Sequence, residues 1–112
     1  MIAVAWNNGA HSRNGSGYGF KITPDDREAY FKKDWQVIIL EIEGQDSSEV
    51  PLTPEFWEKE NHELHSKAVG VWLRHNGLAP WHVGNPPSFT LDHVEDNRFK
   101  IAKQRKGHPA FK

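Results

Sequence analysis

The sequence predicts an α+β domain: a mostly antiparallel sheet or open barrel of five or six strands with one short and one long helix. Three observations carry this expectation. Apolar residues alternate with a period of two in several short runs, among them "IAVAW", "GYGFKI" and "FTLDH", the pattern of strands with one buried face. Two Thr-Pro pairs, Thr23-Pro24 and Thr53-Pro54, open stretches of helical character, because threonine caps a helix and proline suits its first position. A chain of 112 residues has room for one core and not for two.

In order, Ile2, Val4 and Trp6 share one face of the first strand, and Tyr18, Phe20 and Ile22 share one face of the second. A short helix over residues 24–32 follows, with Asp25 and Asp26 at the positive end of its dipole. "WQVIILEIE" is apolar on both faces, as expected of a central strand. "VPL" is at most an edge strand, since Pro51 cannot donate to a ladder. The strongest helix is expected over residues 54–76, with Trp57, Leu64, Ala68, Val71 and Trp72 in one stripe and Lys59, Glu63, Ser66 and Gly70 opposite. Asn76-Gly77 ends it in a left-handed turn. A terminal hairpin turns at Glu95 to Asn97, and the single domain is expected over residues 1–103, with a basic, flexible tail at 104–112.

Composition removes several functions at once. With no cysteine there is no disulfide framework, no thiolate metal site and no cysteine nucleophile. The first residues lack the basic and apolar regions of a signal peptide, and no apolar run approaches the ~20 residues of a membrane span. A cytoplasmic protein without a membrane partner is expected. The net charge is −1, but its distribution is uneven. Residues 1–22 carry +2, residues 23–66 carry −8, and residues 98–112 carry +6 from Arg98, Lys100, Lys103, Arg105, Lys106 and Lys112. If the terminal hairpin lies beside the first strands, a basic side exists that attracts phosphate despite the total.

Between the first two strands stands "NNGAHSRNGSG", residues 7–17, longer than the two to five residues typical of hairpin loops. In a loop that reads nucleic acid, asparagine bonds adenine edges and arginine forks onto guanine or phosphate. The same composition equally suits plain turns at Asn8-Gly9 and Asn14-Gly15. Trp81, in the irregular "APWHVGNPP", is a candidate for stacking on a base or for capping the core. Glu58, His62 and His65 would share a helix face, but His62-Glu63-Leu64-His65 is not the zinc protease spacing, and neither a metal nor a cofactor is expected. Acid–base catalysis by His11, His82 or His93 with Arg13 is conceivable and has no spacing to support it.

The framework W-N-N-G, G-Y-G, D-R-x-x-Y-F, F-W and W-L-x-x-N-G-x-A-P-W-x-x-G-x-P-P occupies Trp6 to Gly9, Gly17 to Gly19, Asp26 to Phe31, Phe56 to Trp57 and Trp72 to Pro87. It resembles a family of small, largely uncharacterised prokaryotic domains over almost the whole chain, a resemblance that implies no activity. More distantly, the element order is similar to the DNA-binding pseudobarrels of plant transcription factors and some restriction-enzyme effector domains. That likeness implies that residues 7–17 occupy the place of an arm entering the major groove; the chain departs from the pattern in its acidic middle and its longer second helix. The leading expectation is nucleic-acid binding through Asn7, Asn8, His11, Arg13 and Asn14, supported by Arg98, Lys100, Lys103, Arg105 and Lys106, with Trp81 available for stacking. The alternatives are an interaction module whose acidic stretch from Glu41 to Glu63 meets a basic protein, and a small hydrolase or nuclease; an enzyme is the less expected outcome.

Overall fold

The chain runs through β1 (Ile2–Asn7), β2 (Tyr18–Lys21), α1 (Pro24–Tyr30), β3 (Val37–Ile42), β4 (Ser48–Pro51), α2 (Pro54–Trp57), β5 (Glu63–His65), α3 (Lys67–His75), β6 (Ser88–Glu95) and β7 (Arg98–Lys103). The computed structural model describes residues 1–9, 14–58, 63–82 and 84–103. The strands form one seven-stranded sheet in the order β4-β3-β7-β6-β1-β2-β5. β3 and β7 are parallel, and the other neighbours are antiparallel. The two edge strands, β4 and β5, lie against each other, so the sheet curls into a nearly closed barrel.

The inner face is filled by size complementarity. Ala3 and Ala5 point inward, opposite Phe89 and Phe20, and those two rings meet edge to face at 5.7 Å. Phe31 stacks on Phe99 at 4.9 Å, and Trp72 of α3 meets Phe89 at 5.4 Å. This inverts the expectation for β1. Ile2 and Val4 look outward, 42 % and 36 % exposed, because only alanine leaves room for the aromatic rings within. β3 sends Ile38, Leu40 and Ile42 inward as the alternation requires, but it is next to the edge rather than central.

α1 begins as its sequence dictates: the Thr23 hydroxyl accepts from the Asp26 amide at 3.1 Å, with Pro24 in the first turn. Pro51 sits on the edge strand β4, and Gly77, at φ +69°, follows the end of α3. The long helix expected over 54–76 does not form. Residues 54–57 make the single turn α2, Glu63–His65 make β5, and a new helix starts at Ser66, whose hydroxyl accepts from the Val69 amide at 3.1 Å. Tertiary pairing outweighs local periodicity here: β5 covers the open edge of β2, with Phe20 opposite Leu64 and Gly19 opposite His65. β5 is the seventh strand, and it turns one long helix into two short ones.

The barrel has two distinct ends. One carries the end of β1, the start of β6, the end of β7 and α3; the other carries α1, α2 and the β6–β7 turn. At the first end, Gly70 of α3 is buried against the chain returning from β1 to β2, where Gly15 takes φ +87°. A Cβ on Gly70 would lie 2.6 Å from the Gly15 carbonyl oxygen and 2.7 Å from the Tyr18 ring. At the second end, Arg27 is 7 % exposed and its Nη1 donates to the Phe56 carbonyl at 2.9 Å and the Glu58 carbonyl at 3.1 Å, tying α1 to α2.

Two variants test these anchors by urea unfolding. Gly70→Ala gains about 1 kcal/mol of helix propensity, yet the new methyl meets backbone; a net loss of about 1–2 kcal/mol is expected. Equal or greater stability would show that the two segments separate at little cost. Arg27→Met strands two carbonyls and is expected to lower stability by about 2–3 kcal/mol; a change within error would mean that α2 is held by its apolar contacts alone.

Candidate nucleic-acid interface

The strand register decides which of the sequence candidates meet. β1 runs towards Asn7, β6 begins beside Val4 at Ser88, and β7, antiparallel to β6, ends at Lys103 opposite Phe89. Lys103 therefore comes to the same end of the barrel as the β1–β2 connection. Arg98 starts β7 at the other end, roughly 16 Å away at ~3.3 Å per residue, where its Nη1 meets Glu41 Oε2 at 3.4 Å. Lys100 lies midway on the outer face between Asp92 of β6 and Glu41 of β3. The basic hairpin does lie beside β1, but of its described cations only Lys103 reaches the loop end. His11, Arg13, Arg105 and Lys106 lie outside the described residues.

The asparagines of the loop serve its own backbone. Asn7 Oδ1 accepts from the Gly9 amide at 2.6 Å, Asn14 Oδ1 accepts from the Ser16 amide at 2.9 Å, and the Asn8 side chain packs beneath Gly17. The Asn8 amide donates to the Gly17 carbonyl at 2.9 Å, closing the base of the loop. The described part of this polar run is thus fixed by turns and by the Gly15–Gly70 approach, and it presents Asn7 and Gly9 towards a cleft.

That cleft, about 550 Å³, is lined by Val4, Trp6, Asn7, Lys21, Trp81 and Pro86 among others. A second cleft of about 630 Å³ shares Trp81 and Pro86 and continues past Leu78, His82, Asn85 and Lys103. Trp81 forms a ridge between them, half-buried and edge-on to the Tyr18 ring at 5.8 Å. Among the described residues neither lining contains a carboxylate, whereas three further clefts hold Glu55 and Glu63, Glu41 and Glu43, or Glu28 and Asp96. Lys21, half-exposed, shares its charge with Glu63 at 3.5 Å. Arg74 of α3 stands close enough to Tyr18 to act on its phenol.

Trp6 forms the floor of the first cleft. Its ring lies against Gly19, where a Cβ would come within 3.0 Å of the indole, and it meets His65 edge-on at 4.6 Å. The indole N–H is buried and has no acceptor among the described residues, a cost of about 1–3 kcal/mol of the kind that folds carry at functional surfaces.

The other candidate constellations do not assemble. His82 lies beside Trp81 and His93 lies on the far end of β6, so the two share no substrate atom. Glu58 follows α2 and His65 is on β5, so the helical face proposed for a metal does not exist; His62 lies outside the described residues. Among the described residues no three metal-ligating side chains converge, and no helix is long and apolar enough to cross a membrane. Lys21, Arg74, His82 and Asn85 were not marked by sequence as part of the interface. The strand register and the return of α3 bring Lys21 and Arg74 towards Trp81, whereas His82 and Asn85 follow Trp81 in the same proline-rich stretch.

Burial raises the Tyr18 phenol above its ordinary value of 10.0, and Arg74 draws it part of the way back. The unfolded chain therefore ionises this group first. Its contribution to stability is complete below the unfolded value and is lost as pH rises through the folded value. From about pH 9 to about pH 11 the wild-type unfolding midpoint should fall more steeply than that of Tyr18→Phe; parallel curves would place the phenol in water. No family model, no curated protein and no solved structure matches the chain, so this surface is read from its own geometry.

Proposed function

We propose that the protein binds single-stranded nucleic acid across the end of the barrel that carries Trp81. The observation that supports this reading most is the pair of adjoining clefts that share Trp81 and, among the described residues, are lined by no carboxylate, with Lys21 on one side, held by Glu63 at 3.5 Å, and Lys103 on the other. An aromatic ridge between two concave, cationic flanks suits a chain of unpaired bases. One base stacks on the indole while the phosphates on either side meet the lysines. A duplex keeps its bases stacked on one another and offers no such face. His82 and Asn85 add hydrogen-bonding groups within reach of base edges or sugars.

Fluorescence anisotropy with labelled single- and double-stranded oligonucleotides at two salt concentrations tests the proposal. Saturable single-strand binding that weakens with salt is expected. Trp81→Ala should weaken it by about 5- to 100-fold, the range of one base–aromatic stack, and Lys103→Glu should lower the salt slope by about one phosphate contact. Absence of binding at ~50 mM salt, where phosphate contacts are strong, would overturn the proposal, as would unchanged affinity in a folded Trp81→Ala variant.

A further inference from the structure

The opposite end of the barrel carries a cleft lined by aromatic rings and by Asp96. α1 ends at Tyr30, 43 % exposed, and the chain turns back through Phe31 to Trp35, which packs half-buried against Phe31 at 6.2 Å. From the sheet, His93 follows Phe89 and Leu91 in the alternation of β6 but is exposed, its ring 5.1 Å from that of Phe99. The β6 strand bulges just after it, between His93 and Glu95. Asp96 takes the left-handed conformation at φ +45°, and its carbonyl meets His93 Nε2 at 2.6 Å. A carbonyl only accepts, so Nε2 carries the proton and the ring is fixed. Tyr30 and His93 both line a cleft of about 420 Å³, their ring centroids 6.5 Å apart and their planes inclined at 49°.

The rim of this cleft carries Lys32, Asp96 and Glu28, of which Glu28 pairs with the Arg27 guanidinium at 3.3 Å. The Asp96 carboxylate meets no cation among the described residues, while the chain's other nearby cations are engaged elsewhere. Arg27 holds two backbone carbonyls, Lys33 lies 5.9 Å over Trp57, and Arg98 pairs with Glu41. Aromatic faces beside an unmatched carboxylate attract an organic cation. A guanidinium suits this site better than an ammonium, because its plane stacks on a ring while its N–H groups fork onto a carboxylate.

We propose that this cleft binds the side chain of an arginine carried by a basic segment of another protein, stacked on the exposed Tyr30 ring beside His93 with its guanidinium on Asp96. The site is independent of the nucleic-acid surface and lies at the other end of the barrel from Trp81.

The test is an NMR titration of the full chain with a blocked Gly-Arg-Gly peptide and with its lysine and glutamine counterparts, at millimolar concentration. The arginine peptide should shift the Tyr30, Trp35 and His93 side-chain signals saturably, the lysine peptide should do so more weakly, and the glutamine peptide should not. Tyr30→Leu and Asp96→Asn should each raise the dissociation constant about fivefold or more, the size of one cation–π contact or charge-assisted bond. Trp81→Ala should leave it unchanged. Equal shifts with the glutamine peptide, shifts spread over the acidic surface without saturation, or an unchanged constant in folded Asp96→Asn would each overturn the proposal.

Discussion

Two stretches of backbone can touch only where neither carries a side chain between them, and one such contact governs the functional end of this molecule. Gly70 of α3 lies against Gly15, with the Gly15 carbonyl and the Tyr18 ring occupying the space that a methyl would need. The contact brings the return of the β1–β2 connection onto the helix. It also sets Tyr18 beneath Trp81, in edge-on contact, and Arg74 beside Tyr18. The described end of the loop therefore rests on α3 at Gly15, and its described asparagines hold their own backbone. What the loop delivers to the surface is a wall for the cleft under Trp81.

The near-zero net charge conceals a separation along the barrel. Register places Lys103 at the end with Trp81 and places Glu95, Asp96 and the start of β7 at the other. α1 brings Asp25, Asp26 and Glu28 to that second end, where Arg27 is withdrawn into the fold. Among the described residues, the clefts beside Trp81 are lined by Lys21 and Lys103 without a carboxylate, whereas the cleft beside Tyr30 is lined by Glu28, Asp96 and Lys32.

Much of the fold was legible in sequence because its signals were local. The Thr23 cap, Pro24, the edge position of Pro51, the turn at Gly77 and the terminal hairpin all follow from residue chemistry, and each stands where expected. Two features were misread because they depend on partners distant in the chain. Leu64 fits a helical stripe with Trp57 and Trp72, yet it is buried from a strand because β2 needs an edge partner. Ile2, Val4 and Trp6 form the more apolar face of β1, yet Ala3 and Ala5 point inward because Phe20 and Phe89 already fill that space. The site was legible only in part for the same reason. Trp81 stood out by its irregular context, and Lys103 by its charge, but nothing in the sequence separates Lys103 from Arg98, and nothing joins Lys21 or Arg74 to either. The strand register does both.

Photo-crosslinking of a uniformly labelled single-stranded oligonucleotide to the wild-type chain, mapped by mass spectrometry at physiological salt, addresses binding at Trp81 most directly. If the indole is the stacking platform, adducts concentrate on Trp81 and on the peptides bearing Lys21 and Lys103. Adducts confined to α1, α2 or the β3–β4 hairpin, or their absence from an oligonucleotide that the protein binds in solution, would contradict it.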